Sequence, residues 1–270
     1  MATIASGLGV RIRVDLLGRL VARSATGRDV RLPGRHAQAL FALLVLTRRP
    51  RSRETIAADL WPDAGSGSAA SLRQALWLVR QGLAEAGIPP DGLLDIDGDT
   101  VGIRIEANID LDVTHFEGRL TDDPRRAEAA IDLYHGDLLE GLGHDCFAAE
   151  RERLSDAYED ALAVVAGHRL EACDLVGARD AADRLVERDP LRQEAHAVLI
   201  AVHGQIGSRS QVIRQHRRLE RVLQRELGVA PLPDTEAIYR RALASTMRRS
   251  MERASELDGE RQPVLVALGR

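Results

Sequence analysis

The hydrophobic pattern of this chain changes period twice before Asp110 and not at all for a long stretch after it: apolar residues first alternate, then recur at helical spacing, then alternate again. Val10, Ile12, Val14 and Leu16 share one face at period two, Gly18 interrupts them, and Leu20 with Ala22 resumes the run, which predicts short strands. Thr26-Gly27 marks a turn, and Val30 with Leu32 predicts a third brief strand stopped by Pro33-Gly34, so a small antiparallel sheet is expected. From Arg35 the spacing becomes helical, with Ala39, Leu40, Leu43, Leu44 and Leu46 forming one stripe that ends before Arg48-Arg49-Pro50. Ser52 fits the N-cap of a short second helix that carries Ile56, Ala57 and Leu60 and stops at Trp61-Pro62. After a Gly65-Ser66-Gly67-Ser68 loop, Leu72, Ala75, Leu76, Val79 and Leu83 give the buried side of a longer helix ending near Gly87. Leu94 and Ile96, then Asp97-Gly98-Asp99, then Val101, Ile103 and Ile105 predict a hairpin. Sheet, three helices and hairpin is the order of a winged helix-turn-helix.

Downstream, strand signals vanish. Pro124 opens a helix through Ile131, Gly136 opens another, and Phe147, Leu154, Tyr158, Ala161, Leu162 and Val165 line a long one. Val176-Gly177-Ala178-Arg179 recurs loosely as Ile206-Gly207-Ser208-Arg209, each beginning the second helix of a pair, and Asp189-Pro190 separates the pairs, as in tetratricopeptide (TPR) arrays. Helices follow one another to about Ala244. The expected fold is therefore mainly α: a winged helix-turn-helix with a small β-sheet and wing hairpin over residues 1–110, an all-α TPR-like helical array over 111–246, and a tail, 247–270, that is linker or partly ordered.

At 270 residues, with 44% hydrophobic and 29% charged, the chain can bury two cores, and no apolar run approaches the roughly 20 residues that span a bilayer. Met1 to Gly9 has no basic and apolar leader pattern, and Cys146 and Cys173 are the two thiols; a cytoplasmic protein with no membrane partner is expected. Every basic side chain is Arg. The lack of Lys excludes a Walker lysine, a Schiff base and a Ser-Lys pair, and neither H-E-x-x-H nor G-x-S-x-G occurs, so no enzyme is expected. Gly7-Leu8-Gly9 is too short for a phosphate loop. No metal or cofactor is expected either: His144 with Cys146, or His196 with His203, offers two ligands where zinc normally takes four. The net charge of -4 does not argue against a polyanionic partner, because screening acts over about 8 Å and local clusters decide.

One local pattern points to such a partner. With Leu72, Leu76, Val79 and Leu83 facing inward, the third helix turns Ser71, Arg73, Gln74, Trp77, Arg80 and Gln81 outward. Arg pairs bidentately with guanine and Gln with adenine, so Arg73, Gln74, Trp77 and Arg80 are the candidate base readers, with Trp77 alternatively an edge of the core. Arg28, Arg31, Arg35, Arg48, Arg49, Arg51 and Arg53 fall in one stretch opposed by Asp29 alone. Arg35, Arg51 and Arg53, with Ser71, are the candidate phosphate contacts, an ordinary solvated face being the alternative.

The run Leu32-Pro33-Gly34-Arg35-His36-Ala37-Gln38-Ala39-Leu40, then Ala58-Asp59-Leu60-Trp61, then Ser71-Leu72-Arg73-Gln74-Ala75-Leu76 resembles the OmpR-type winged helix of the SARP-like regulators. Tyr134-His135-Gly136-Asp137-Leu138-Leu139-Glu140-Gly141, Asp189-Pro190-Leu191-Arg192-Gln193-Glu194-Ala195-His196 and Arg225-Glu226-Leu227-Gly228-Val229-Ala230-Pro231 are similar to the bacterial transcriptional activator domain that follows it. The resemblance implies a DNA-binding activator that acts as a homodimer on double-stranded DNA and contacts RNA polymerase, with the loop Pro62–Ser68 as a polymerase contact. Two features depart from the family pattern. The wing tip carries Asp95, Asp97 and Asp99 with no basic residue, and the Gly-Tyr-Arg-Leu that usually follows the wing is replaced by Val101-Gly102-Ile103-Arg104-Ile105, leaving Arg104 as the one backbone contact there. These departures motivate an alternative, a non-catalytic protein-interaction or sensing module with a degenerate winged helix; the closing Gln262–Arg270 stretch faintly resembles the entry to a further module of a larger regulator.

Overall fold

The computed structural model describes residues 10–261, without the side chains at 66, 250 and 252–261. The readings made on Met1–Gly9 and on Gln262–Arg270 lie outside the described residues. The chain forms two compact units, one up to Leu120 together with Ala129–Tyr158, the other Thr121–Glu128 together with the residues from Glu159 on. It is mainly α: a winged helix-turn-helix with small sheets and a wing hairpin, followed by a TPR-like helical array.

In the first unit, β1 (Arg11–Asp15) pairs antiparallel with β2 (Val21–Ser24), placing Val14 opposite Ala22. Ile12, Val14, Leu16 and Ala22 are all buried, as the alternation predicts. The sheet departs from the expected antiparallel one in two ways. Its third strand is β6 (Asn108–Leu111), parallel to β1 with Ile12 opposite Ile109, whereas the Val30 and Leu32 stretch contributes one isolated bridge between Arg23 and Asp29. Pairing across almost a hundred residues leaves no local signature, and four residues are too few to show a period.

Three helices follow: α1 (Arg35–Thr47), α2 (Arg53–Leu60) and α3 (Ser68–Glu85). Ser52 caps α2 as expected, its Oγ accepting from the Thr55 N–H at 3.0 Å. α4 (Pro90–Leu93) leads into β4 (Leu94–Ile96) and β5 (Thr100–Ile103), the wing, whose two ends close through reciprocal Asp97 and Thr100 backbone bonds of 3.1 and 3.2 Å. A two-residue strand, β3 (Arg51–Ser52), joins β5 just before α2 and anchors the wing to the helices. Gly102 makes that contact possible, because a Cβ there would lie 2.9 Å from the Pro50 Cα.

The segment after α5 (Asp112–Glu117) and α6 (Pro124–Ile131) corrects another expectation: no helix starts at Gly136. Leu139 N–H donates to Leu16 O at 2.9 Å, Glu140 N–H to Gly18 O at 2.8 Å, and Leu17 bridges Leu138. Here Gly18 has φ +109°, a region that glycine adopts without strain, and its Cα sits 3.2 Å from where a Cβ on Gly136 would be. Arg151 holds the same loop by donating from Nε to Leu138 O and from Nη2 to Leu142 O, both at 3.0 Å. Asp112 completes the seam: its Oδ2 accepts from Leu16 and Leu17 N–H at 2.7 Å each. Burial pushes its carboxyl above the usual carboxylate range in spite of those bonds, which favour the anion.

The long α7 (Ala148–Glu171) leads into α8 (Leu175–Arg188), α9 (Gln193–Ile206), α10 (Arg209–Glu226) and α11 (Pro233–Arg261). The last helix runs well past Ala244, where the apolar spacing gave the expected end. In this second unit α9 is central, packing against α8, α10 and α11. Ile200, Val212 and Ala242 form a core joined by Ile238, Tyr239 and Leu243. His216 stacks on Tyr239 with ring centroids 3.8 Å apart and donates from Nε2 to Glu236 at 2.6 Å.

Candidate nucleic-acid interface

α2 and α3 are joined by Trp61–Gly67, whose last three residues form a 3-10 turn, and α3 buries Leu72, Ala75, Leu76, Val79, Gly82 and Leu83. Each fully buried leucine contributes roughly 1.5–3 kcal/mol, so that face fixes the helix rotation. Gly82 fixes its depth. A Cβ there would lie 2.3 Å from Arg31 O, so α3 lies directly against the backbone that precedes α1.

The opposite face carries the residues singled out for base reading. Arg73 and Gln74 are exposed, Ser71 is half-buried, and Trp77 keeps 61% of its surface open, which removes the alternative that it is an edge of the core. Arg80 is half-buried and tied down, its Nη1 donating to Asp91 Oδ1 at 2.7 Å across to α4. That guanidinium holds the Asp91 carboxyl below the usual carboxylate range, Arg104 adding to the effect from farther off. Arg73 and Gln74, with Trp77, therefore form the unengaged part of the face and Arg80 the engaged part.

The candidate phosphate contacts divide in the same way. Arg35 opens α1, where Gly34 supplies no side-chain cap, and is exposed. Arg53 opens α2, donates from Nε to Gly98 O at 3.0 Å, and takes Asp99 O with its own N–H at 2.9 Å, so the wing tip is pinned to the α2 N-terminus. Arg51 forms a 2.6 Å ion pair with Asp59. Arg104 donates from Nε to Asp91 O at 2.5 Å, with Asp95 at 4.0 Å. In the wing, Asp97 and Asp99 are exposed, and Asp97 Oδ1 accepts from Gly98 N–H at 2.8 Å, a use of the acid that builds the turn.

Asp91 is the residue that sequence reasoning missed. It engages both Arg80 and Arg104, eleven and thirteen positions away in the chain, so no helical or strand spacing marks it. Beside Arg35, His36 packs edge-on to Trp61 at 5.4 Å and to His144 at 6.1 Å. Burial, with His36 and Arg35 nearby, pushes the His144 pKa down, which keeps that ring neutral. Cys146 is pushed up to about 11 by burial, far from a reactive thiolate. Among the described residues no cluster of three or more His, Cys, Asp or Glu could hold a metal ion, and no helix is long and apolar enough to cross a membrane.

Residues 111–243 match the family model for the bacterial transcriptional activator domain. That stretch, just under half of the chain, carries the similarity to this domain. The Tyr134–Gly141 motif lies within the matched stretch and is the loop held against Leu16–Gly18. A solved structure, Mycobacterium tuberculosis EmbR in complex with a low affinity phosphopeptide, has a similar fold: TM-score 0.71 at 21% identity, covering 92% of this chain and 71% of that one. No curated protein matches this chain.

Proposed function

We propose that this transcription regulator binds double-stranded DNA sequence-specifically, laying α3 in the major groove so that Arg73, Gln74, Trp77 and Arg80 face base edges. The observation that carries the reading is the division of α3 into a face anchored by Leu72, Leu76, Val79 and Leu83 and an opposite face whose Arg73, Gln74 and Trp77 are exposed and unengaged. The major groove admits a helix, and a helix presenting guanidinium, amide and indole groups together can discriminate bases as well as bind charge. Arg35, Arg51, Arg53, Ser71 and Arg104 serve the phosphates, those now paired with Asp59, Gly98 or Asp91 exchanging internal partners for phosphate oxygens. Residues 1–110 act as the DNA-binding domain and 111–246 as the array that brings two copies together or contacts RNA polymerase, with 247–270 as a tail. It acts as an activator, in the bacterial cytoplasm and without catalysis.

A second reading is favoured by the acidic wing: a protein-interaction or sensing module whose winged helix no longer meets DNA. One experiment separates them. Genomic fragments retained by the purified protein are sequenced, and the best duplex is titrated at about 50 and about 200 mM salt. The DNA reading expects a common sequence element and a loss of affinity of orders of magnitude between the two salts, with Arg53→Ala reducing the log-log slope by about one. A protein that retains no duplex at the lower salt belongs to the second reading.

A further inference from the structure

In the second unit several arginines meet carboxylates. Arg169 pairs with Glu128 and Asp174, Arg179 with Asp183, Arg188 with Glu159 and Arg192 with Asp160. One face of α10 breaks the pattern. Arg218, Arg221 and Arg225 stand three and four residues apart, so their side chains leave the helix on the same side. With Pro190, His196 and Val222 they line a groove of about 660 Å³.

Two carboxylates near this face, Glu220 and Glu236, are spent elsewhere. Glu220 Oε2 lies 3.4 Å from His216 Nδ1, and Glu236 accepts from the other nitrogen of the same ring. Arg225 has Glu226 at 2.7 Å, while Arg221 donates only to the Arg217 carbonyl at 3.1 Å, and Arg218 makes no hydrogen bond or ion pair among the described residues. The groove also lacks competing acceptors. The fully buried His196 donates from Nε2 to Pro190 O at 3.1 Å and accepts at Nδ1 from the Gln215 side chain at 2.9 Å, so the carbonyl at the groove wall is already occupied. Burial and the nearby Arg218 guanidinium keep that ring neutral. What remains is a concave surface on which Arg218 and Arg221 offer guanidinium donors that pair with no carboxylate among the described residues, while Arg225 is held by Glu226.

We propose that this groove on α10 is a binding site for a phosphate-bearing small molecule, held by Arg218 and Arg221 with Arg225 at its rim. Guanidinium forks match phosphate oxygens bidentately, and two or three of them on one helix face suit a diphosphate better than a single carboxylate. The volume lies within the range of small-ligand sites. A DNA backbone could supply the same phosphate chemistry, but it presents its phosphates along a convex, extended surface that a groove of this size does not follow. The proposal stands independently of α3 reading DNA.

Pyrophosphate is the probe, titrated calorimetrically into the full chain at about 50 mM salt. The expected result is one equivalent bound, at least tenfold weaker binding by Arg218→Ala/Arg221→Ala, an intermediate loss for Arg221→Gln alone, and unchanged thermal unfolding and duplex affinity for both. No pyrophosphate binding, or equal binding by the double variant, overturns the site. If pyrophosphate does not bind while the double variant loses duplex affinity, the arginines serve DNA phosphates instead and the small-molecule site is equally overturned.

Discussion

α3 and α10 are both eighteen residues long, both expose arginine and both sit on an apolar face, yet they carry different information. The outer face of α3 mixes a guanidinium, an amide and an indole at Arg73, Gln74 and Trp77, whereas α10 repeats one group, with arginine at 209, 214, 217, 218, 221 and 225. Base edges differ in their pattern of donors, acceptors and methyl groups, so a mixed face can tell them apart; phosphates are all alike, so a repeated cation can only bind them. In the proposed reading, two helices of equal length thus separate recognition from charge.

The difference is worth testing where it is largest. α3 must be seated rigidly for its outer face to discriminate, and Gly82 is the seat. Gly82→Ala forces a methyl against Arg31 O, where a Cβ would sit at 2.3 Å, and is expected to destabilise the first unit by about 3 kcal/mol, read as a lower midpoint in urea unfolding. Next in size, Arg73→Ala is expected to lose about 1–3 kcal/mol of discrimination at one base position while non-specific duplex binding changes little, measured by competition between matched and mismatched duplexes. If the α10 variant Arg218→Ala/Arg221→Ala reduces discrimination as much, the two helices do not differ in kind.

A smaller effect concerns how the second unit responds to acid. Burial pushes the His196 and His203 pKa values down, so the unfolded chain takes up protons at these sites more readily than the folded one. Stability from this source is present above the ordinary histidine range, near 6.5, and is lost as pH falls through and below it. Thermal unfolding followed from pH 7.5 to 5.5 should show that decline, and His196→Gln should flatten it. The smallest effect is expected from Asp91→Asn, which frees Arg80 and removes a negative charge beside α3. Duplex affinity should rise about twofold to threefold at low salt and not at all at high salt, as expected of an exposed ion pair.

Several of these elements were legible in the sequence and others were not, for reasons that follow from distance along the chain. The α3 faces could be read because helical periodicity is local and Leu72, Leu76, Val79 and Leu83 keep it without a break. The Ser52 cap and the Asp97–Asp99 turn could be read for the same reason. β6 could not, because its partner β1 lies nearly a hundred residues upstream, and the stretch at Gly136 looked helical because nothing nearby reveals that Leu139 and Glu140 bond to Leu16 and Gly18. In the candidate site, composition correctly marked exposed positions such as Arg73 and Gln74 but could not show that Arg80 and Arg104 share Asp91, or that Arg51 already holds Asp59. The Arg218, Arg221 and Arg225 spacing was visible in the sequence; its meaning came from the fate of Glu220 and Glu236, which only the packed structure discloses.

Guanine N7 lies in the major groove, so its protection from methylation reports what enters there. On the duplex that the protein selects from its own genome, bound to saturation, the wild-type chain is predicted to protect at least one guanine N7 that becomes reactive again with Arg73→Ala at equal occupancy. Full occupancy with every guanine N7 still reactive, or a protection pattern that Arg73→Ala leaves untouched, would contradict the docking of α3.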